Sequence, residues 1–418
     1  MKIMLVAATV FLIACTNVVA QTAPVDSSPL HGSLNGASNN ENHRTPAGGE
    51  AEVAEGSAND EADRKPVTLY VSKLSDGSDG STWAKAFHTI QAALDAVGDE
   101  YGGHRIIVRP DTYVEANLAP AHKGGPGAYN ELIGDFDGHL GSEASGWVVI
   151  DSGDPQKGFK SWDWWGSIRA SDKHWPHGNN QDTFSSIIWD RWMLRNLYVT
   201  GGDAGIFFDL TEKSGEGFTV IVEDCVGIGR AFGGGVAYPI VREKEPSVFR
   251  RCYFLALDWV GDTAAVLMGG WEKSMPNHPH AVLENCTLVH PDNAVALSYA
   301  SHCARVRFVG CRMIVLNFTQ PEMGAKSTGI ICTQGHLATG RLHVDLEDCI
   351  MAGYSIFTPG PDAEAVSFTT RGKVQAYVQF KQSVPEGFGR LGLWPIDLFS
   401  QMAPPASPDE LKRQQARR

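Results

Sequence analysis

Five charged side chains near the middle of the chain have the types that cation and proton-transfer chemistry requires. Asp258, Asp262 and Asp292 are hard oxygen donors that could share a Ca2+ ion. Arg230 and Lys326 are bases that could take a proton if their surroundings lowered their affinity for it. Their spacing matches no motif, so they work together only if the fold stacks distant segments. Tryptophans form a second group: Trp162, Trp164, Trp165 and Trp175 share one stretch, and Trp271 stands apart. An indole face suits the apolar face of a pyranose ring. The competing reading is a buried aromatic cluster that stabilises a long insertion.

Other combinations carry less. His278-Pro-His280 with His290 resembles part of a metal site but lacks an evident third ligand. Cys303 has no accompanying His/Asn signature of a thiol nucleophile. The balance of 35 basic against 48 acidic residues, a net charge of −13, argues against nucleic acid, where Lys and Arg must neutralise phosphates.

The elements that would position these residues are repeats. Val220-Ile-Val-Glu-Asp-Cys225, Ser247-Val-Phe-Arg-Arg-Cys252, Ala281-Val-Leu-Glu-Asn-Cys286, Val306-Arg-Phe-Val-Gly-Cys311 and Val344-Asp-Leu-Glu-Asp-Cys349 share one pattern, and Trp192-Met-Leu-Arg-Asn-Leu197 is a sixth copy. Apolar and polar residues largely alternate, a turn residue follows, and a small apolar residue begins a second strand. A third apolar run comes after each copy, as in Ala264-Ala-Val-Leu-Met268. Successive copies start at irregular intervals, so constant coils alternate with loops of variable length. Such a coil cannot bury its inward side chains alone. Neighbours must stack at about 4.8 Å, with the cysteines forming an interior ladder.

These cysteine-ended repeats resemble the pectin-lyase-like superfamily of right-handed parallel β-helices. The opening segment is similar too: Leu69-Tyr-Val-Ser72, Asp76-Gly-Ser-Asp-Gly-Ser81, the helical Phe87–Val97 and Ile106–Glu115. The resemblance implies an all-β fold, a right-handed single-stranded parallel β-helix with a short N-terminal capping helix built on Ile90, Ala93, Leu94 and Val97. It also implies polysaccharide as the partner and a site on the third-strand face. That face offers Asp209, Ser298, Thr333 and Gln334, with no acid pair of the kind glycoside hydrolysis needs. Lyase chemistry on a uronic-acid polymer is the catalytic form the resemblance suggests. Arg230 or Lys326 would be the base, and Asp258, Asp262 and Asp292 would hold Ca2+. Glu272, Lys273, His278, His280, His302, Arg305 and His336 would flank the third strand on its leaving side. The alternative is a non-enzymatic structural or adhesion protein.

Around this body, residues 1–20 read as an export signal. Leu12-Ile-Ala-Cys15 resembles a lipobox with Cys15 as lipidation site, and cleavage after Val18-Val-Ala20 is the alternative. Residues 21–66, with eight acids against three bases, read as a disordered linker, 67–400 as the β-helix with a Trp-rich insertion at about 135–190, and 401–418 as a flexible tail. The expected location is extracellular or in the cell envelope, with an outer-membrane lipoprotein as one form. A monomer is expected, touching a membrane only through a lipid anchor.

Overall fold

The computed structural model describes residues 65–152, 187–210, 215–257, 263–291, 294–299, 302–316, 329–334, 341–357, 366–379, 384–386, 388–390 and 401–416. The export segment, Cys15, almost all of the 21–66 linker, Trp162, Trp164, Trp165, Trp175, Asp258, Asp262, Asp292, Lys326 and His336 lie outside the described residues.

The chain winds as a right-handed parallel β-helix. One sheet, called A here, stacks ten strands in chain order: Thr68–Val71, Arg105–Val108, Asn130–Gly134, Trp192–Arg195, Val220–Glu223, Ser247–Arg250, Ala281–Glu284, Ala304–Val309, Leu342–Glu347 and Val366–Arg371. The second and third strands of the coils form sheet B, of fourteen strands. Two of them, Leu197–Asp209 and Val226–Ala237, run through both positions, whereas later coils break the path into two.

Period-two alternation decides what lies inside. Leu132, Leu194, Val222, Phe249, Leu283, Phe308 and Leu346 occupy one register row of sheet A, and all are buried. Each such side chain contributes about 1.5–3 kcal/mol by leaving water. After the six sheet A strands from Trp192–Arg195 to Leu342–Glu347 the next residue turns the corner in the left-handed region: Asn196, Asp224, Arg251, Asn285, Gly310 and Asp348 have φ between 52° and 62°. Asn, Asp and Gly tolerate that conformation best.

The expected cysteine ladder follows each corner. Cys225, Cys252, Cys286, Cys311 and Cys349 are buried free thiols. Each Sγ donates to a carbonyl one coil back, from Cys286 to Phe249 O at 3.3 Å and from Cys311 to Leu283 O at 3.3 Å. Burial pushes the Cys225 and Cys311 thiols far above their ordinary range, which suits inert packing rather than nucleophilic chemistry.

The expected capping helix spans Ile90–Asp95. Thr89 Oγ1 accepts from Ala92 N, and both Glu115 carboxylate oxygens accept first-turn amides, from Ile90 at 2.8 Å and Gln91 at 2.9 Å. Ile90, Ala93, Leu94 and Val97 close the interior.

Two expectations are corrected. The insertion expected at about 135–190 does not interrupt the coils throughout: Val148–Asp151 is a regular sheet B strand between Asp111–Val114 and Leu197–Thr200. The tail is not free. Residues Pro408–Ala416 form a helix whose Leu411 packs with Val226, Ile228, Tyr253 and Val289 on the outside of sheet B. Tyr253 Oη donates to Met402 O, and Arg312 Nη1 donates to Gln414 O at 3.2 Å. Lys412 Nζ sits 3.9 Å from the Phe136 ring centre. Outward apolar residues on sheet B needed a cover, and this segment supplies one.

Candidate functional site

The third-strand face is not an open polar cleft where it is described. Phe207, Phe232 and Leu267 form an apolar cluster separate from the interior, with Ala204, Ala231, Ala237 and Ala264, and all seven are buried. Arg230, expected on a flanking loop, lies within the strand Val226–Ala237 and is 4% exposed. A base on a solvent-borne polymer needs access, so this placement does not serve that role.

The structure instead gathers the leaving-side residues. Trp271 stacks on His302 with ring centres 3.7 Å apart and meets Tyr238 edge-on at 5.8 Å. Its amide donates to Pro239 O, and Cys303 N donates to Glu272 O at 2.8 Å, which ties the loops of successive coils together. Trp271 remains half-buried, with one face against His302.

His280 is buried rather than on the surface. Its Nδ1 accepts from Arg305 N at 3.2 Å, and its Nε2 lies 4.0 Å from Glu272 Oε1. Burial pulls its pKa down to about 4, against the opposing pull of Glu272. His290 is buried beside Thr263 Oγ1 at 3.0 Å, and burial lowers its pKa to about 3. His278 is exposed near Glu243. The three histidines have separate partners. Among the described residues, no group of three or more His, Cys, Asp or Glu side chains has the arrangement of a metal site.

Beyond His280, a groove of about 160 Å³ opens on the outer face of sheet A. It is lined by Asn277, Arg305, Arg307, Asp345, Glu347 and Arg371, among others. Parallel register stacks these outward side chains from adjacent coils. Arg305 grips Asp345 with two hydrogen bonds, 2.8 and 3.0 Å, and gives a third to Asn277 O. Arg307 donates to Glu347 at 2.6 Å. Burial would raise the Asp345 pKa, but the Arg305 guanidinium and His343 outweigh it and lower it, so Asp345 is a carboxylate at neutral pH. Arg371 lies opposite Glu347 in register, is exposed, and makes no ion pair with a described residue.

No family model matches the chain, and no curated protein matches it. Solved structures do. A pectate lyase matches at 14% identity over 78% of this chain and 74% of its own, with a TM-score of 0.48. A rhamnogalacturonan lyase matches at 13% identity over 74% of each chain, with a TM-score of 0.36. A pectin methylesterase from Aspergillus niger matches at 13% identity over 79% of this chain and 92% of its own, with a TM-score of 0.32. The likeness is one of fold.

Glu272, His302 and Arg305, expected on the leaving side of the third strand, are neighbours along one corner, and Trp271, which stands apart in the sequence, joins them there. Arg307, Asp345, Glu347 and Arg371 were not singled out. Their signal was present as alternating outward charges within the sheet A copies, where a surface ladder is the ordinary explanation.

Proposed function

We propose that this protein is an exported β-helix that holds an acidic extracellular polysaccharide along the corner from Trp271 and His302 to the groove over Arg305 and Arg371. The observation that carries the reading is Arg371, a groove guanidinium without a carboxylate partner among the described residues, beside arginines already neutralised by Asp345 and Glu347. A planar guanidinium in that position suits a uronate carboxylate, which it can grip with two parallel hydrogen bonds. The accessible part of Trp271 offers a stacking surface for a neighbouring ring.

Degradation by elimination is the catalytic form of the same reading. Asp258, Asp262 and Asp292 would hold Ca2+, which would neutralise the uronate, and Lys326 would supply the base. Lipidation at Cys15 would tether the protein to the envelope. Loss of radiolabelled fatty-acid incorporation in Cys15→Ser would support that anchor, and unchanged incorporation would remove it.

The deciding experiment is titration calorimetry of the full chain with polygalacturonate, alginate and a neutral glucan. Binding of the acidic polymers that weakens with salt is expected. Equal affinity for the neutral glucan, or no binding of the acidic polymers, would sink the reading. Formation of an ultraviolet-absorbing unsaturated product, abolished by chelation, would establish elimination; its absence would leave binding alone.

A further inference from the structure

One outward cluster on sheet A adjoins the groove and shares Asp345 and Thr369 with its lining. Leu342–Glu347 and Val366–Arg371 pair in parallel, with His343 opposite Ser367 and Asp345 opposite Thr369. The strand period puts His343 and Asp345 on the same face, two residues apart. His343 Nδ1 lies 2.8 Å from Ser367 Oγ. His343 Nε2 lies 3.0 Å from Thr369 Oγ1 and 3.4 Å from Asp345 Oδ1. The imidazole and carboxylate are partly covered, with side-chain exposures of 17% and 18%, whereas Ser367 is exposed.

We propose that Ser367, His343 and Asp345 form a hydrolytic site for carboxylic esters. The arrangement contains the parts of a serine nucleophile: a hydroxyl in hydrogen-bond reach of an imidazole, whose far nitrogen faces a carboxylate. In the tautomer this role requires, Ser367 Oγ–H donates to Nδ1, and Nε2–H faces Thr369 and Asp345. Arg305, bonded twice to Asp345, keeps that carboxylate ionised and fixed. Asp345 is a positioning residue, acting through His343.

In the first step Ser367 Oγ bonds to the ester carbonyl carbon while its proton moves to His343 Nδ1. The carbon–oxygen bond of the ester breaks, and the leaving alkoxide takes that proton as the alcohol. Water then adds to the acyl-serine and gives a proton to His343. The acyl group departs as a carboxylic acid and Ser367 recovers its proton, so ester and water become acid and alcohol without an oxidant or a metal.

The substrate class follows from what lies along the strand, and this part rests on the acidic-polysaccharide reading. Ser367 and Arg371 are four residues apart, about 13 Å at the usual rise per residue. A sugar chain with a carboxylate at Arg371 would therefore present a different unit to Ser367, and the ester would be an acyl group on one of its hydroxyls.

The test uses the full chain with a fluorophosphonate probe, which transfers its phosphonyl group to an activated serine oxygen and releases fluoride. Peptide mass spectrometry locates the adduct, and p-nitrophenyl acetate hydrolysis gives the rate. Adduct on Ser367 is expected, with hydrolysis falling at least about a hundredfold in Ser367→Ala and His343→Gln. Asp345→Asn should move the acidic limb of the rate–pH profile to lower pH, a change that loss of packing alone would not produce. Matching circular dichroism and thermal melts would show that the variants remain folded. No adduct on the folded wild-type chain, or hydrolysis unaffected by Ser367→Ala, would overturn the site. Polymer binding by a wild-type chain that takes no adduct would reject the esterase and keep the polysaccharide reading. Adduct and hydrolysis without polymer binding would do the reverse.

Discussion

Arg305 and Arg371 line the same groove, but their donors are committed differently. Arg305 bonds to Asp345 and Asn277, while Arg371 has no carboxylate among the described residues. Replacing each by Gln should therefore separate binding from stability. Arg371→Gln is expected to weaken acidic-polymer affinity about tenfold, the loss of one charge-assisted contact. Arg305→Gln is expected to lower the melting temperature, because it leaves Asp345 without its cation. Calorimetry and thermal melts on both variants check the contrast.

His280 and His290 make stability depend on pH. Each has its folded pKa depressed below the ordinary 6.5, to about 4 and about 3, so the unfolded chain binds their protons first as acid is added. The stabilisation is complete above about pH 6.5 and is lost as pH falls toward the folded values, by about 2 kcal/mol per histidine at pH 5. Urea midpoints should drop between pH 7 and pH 5, and His290→Asn should flatten that dependence. Neither effect was legible from sequence, where His278-Pro-His280 with His290 looked like an incomplete metal site and nothing in the spacing marked His280 and His290 as buried. Arg371, His343 and Ser367 were hidden for another reason. Ser367 and Arg371 lie on the final sheet A strand, which is followed by Gly372-Lys373-Val374 and so breaks the cysteine-ended pattern, and His343 stands just ahead of the copy that begins at Val344.

The corner after each sheet A strand is the element that the repeats made most legible. A turn residue before a small apolar one implied a change of direction, and φ near +55° accounts for Asn, Asp and Gly there. Arg251 shares this conformation, which its residue type alone would not suggest; its guanidinium grips Asp224 of the preceding coil at 2.6 and 2.8 Å. Asn285→Val should destabilise the protein by about 1–2 kcal/mol through left-handed strain, while Asn285→Gly should cost less. Denaturant titrations of the two variants measure the difference. The C-terminal helix was the element most misread. Pro404-Pro405 and the basic ending suggested a mobile tail, and few apolar residues marked the short helical face. What orders it is the sheet it covers. Truncation after residue 400 should expose Val226, Ile228 and Tyr253, raise the fluorescence of a hydrophobic dye and lower the melting temperature.

Coils that contact mainly their neighbours make the molecule nearly one-dimensional, with stability close to a sum of coil and interface terms. The outward ion pairs follow the same logic: Arg195 with Glu223, and Arg250 with Glu223 and Glu284, join successive coils of sheet A. Glu223 is buried between its two arginines, whereas the more open Arg250–Glu284 pair contributes little, about 0–1 kcal/mol, so the interior rows carry most of the stability. The midpoint of unfolding should consequently depend on the probe, so variants are compared with one probe throughout. Tryptophan fluorescence, with Trp189 and Trp192 buried toward the N-terminal coils, and far-ultraviolet circular dichroism should give non-coincident curves in guanidinium. Coincident curves would show that the coils unfold as one unit.

The C-terminal helix also sets a timetable for maturation. Coils can form in the order in which they are synthesised, each templated by the one before. Gln415, however, donates to the carbonyl of Arg251, 164 positions earlier, and Tyr253 waits for Met402. A ribosome stalled between these partners would carry a ratchet of finished coils with an unsealed greasy flank. Until residues 401–416 have docked, coils that are already built leave Val226, Ile228 and Tyr253 uncovered, open to chaperone capture and proteolysis.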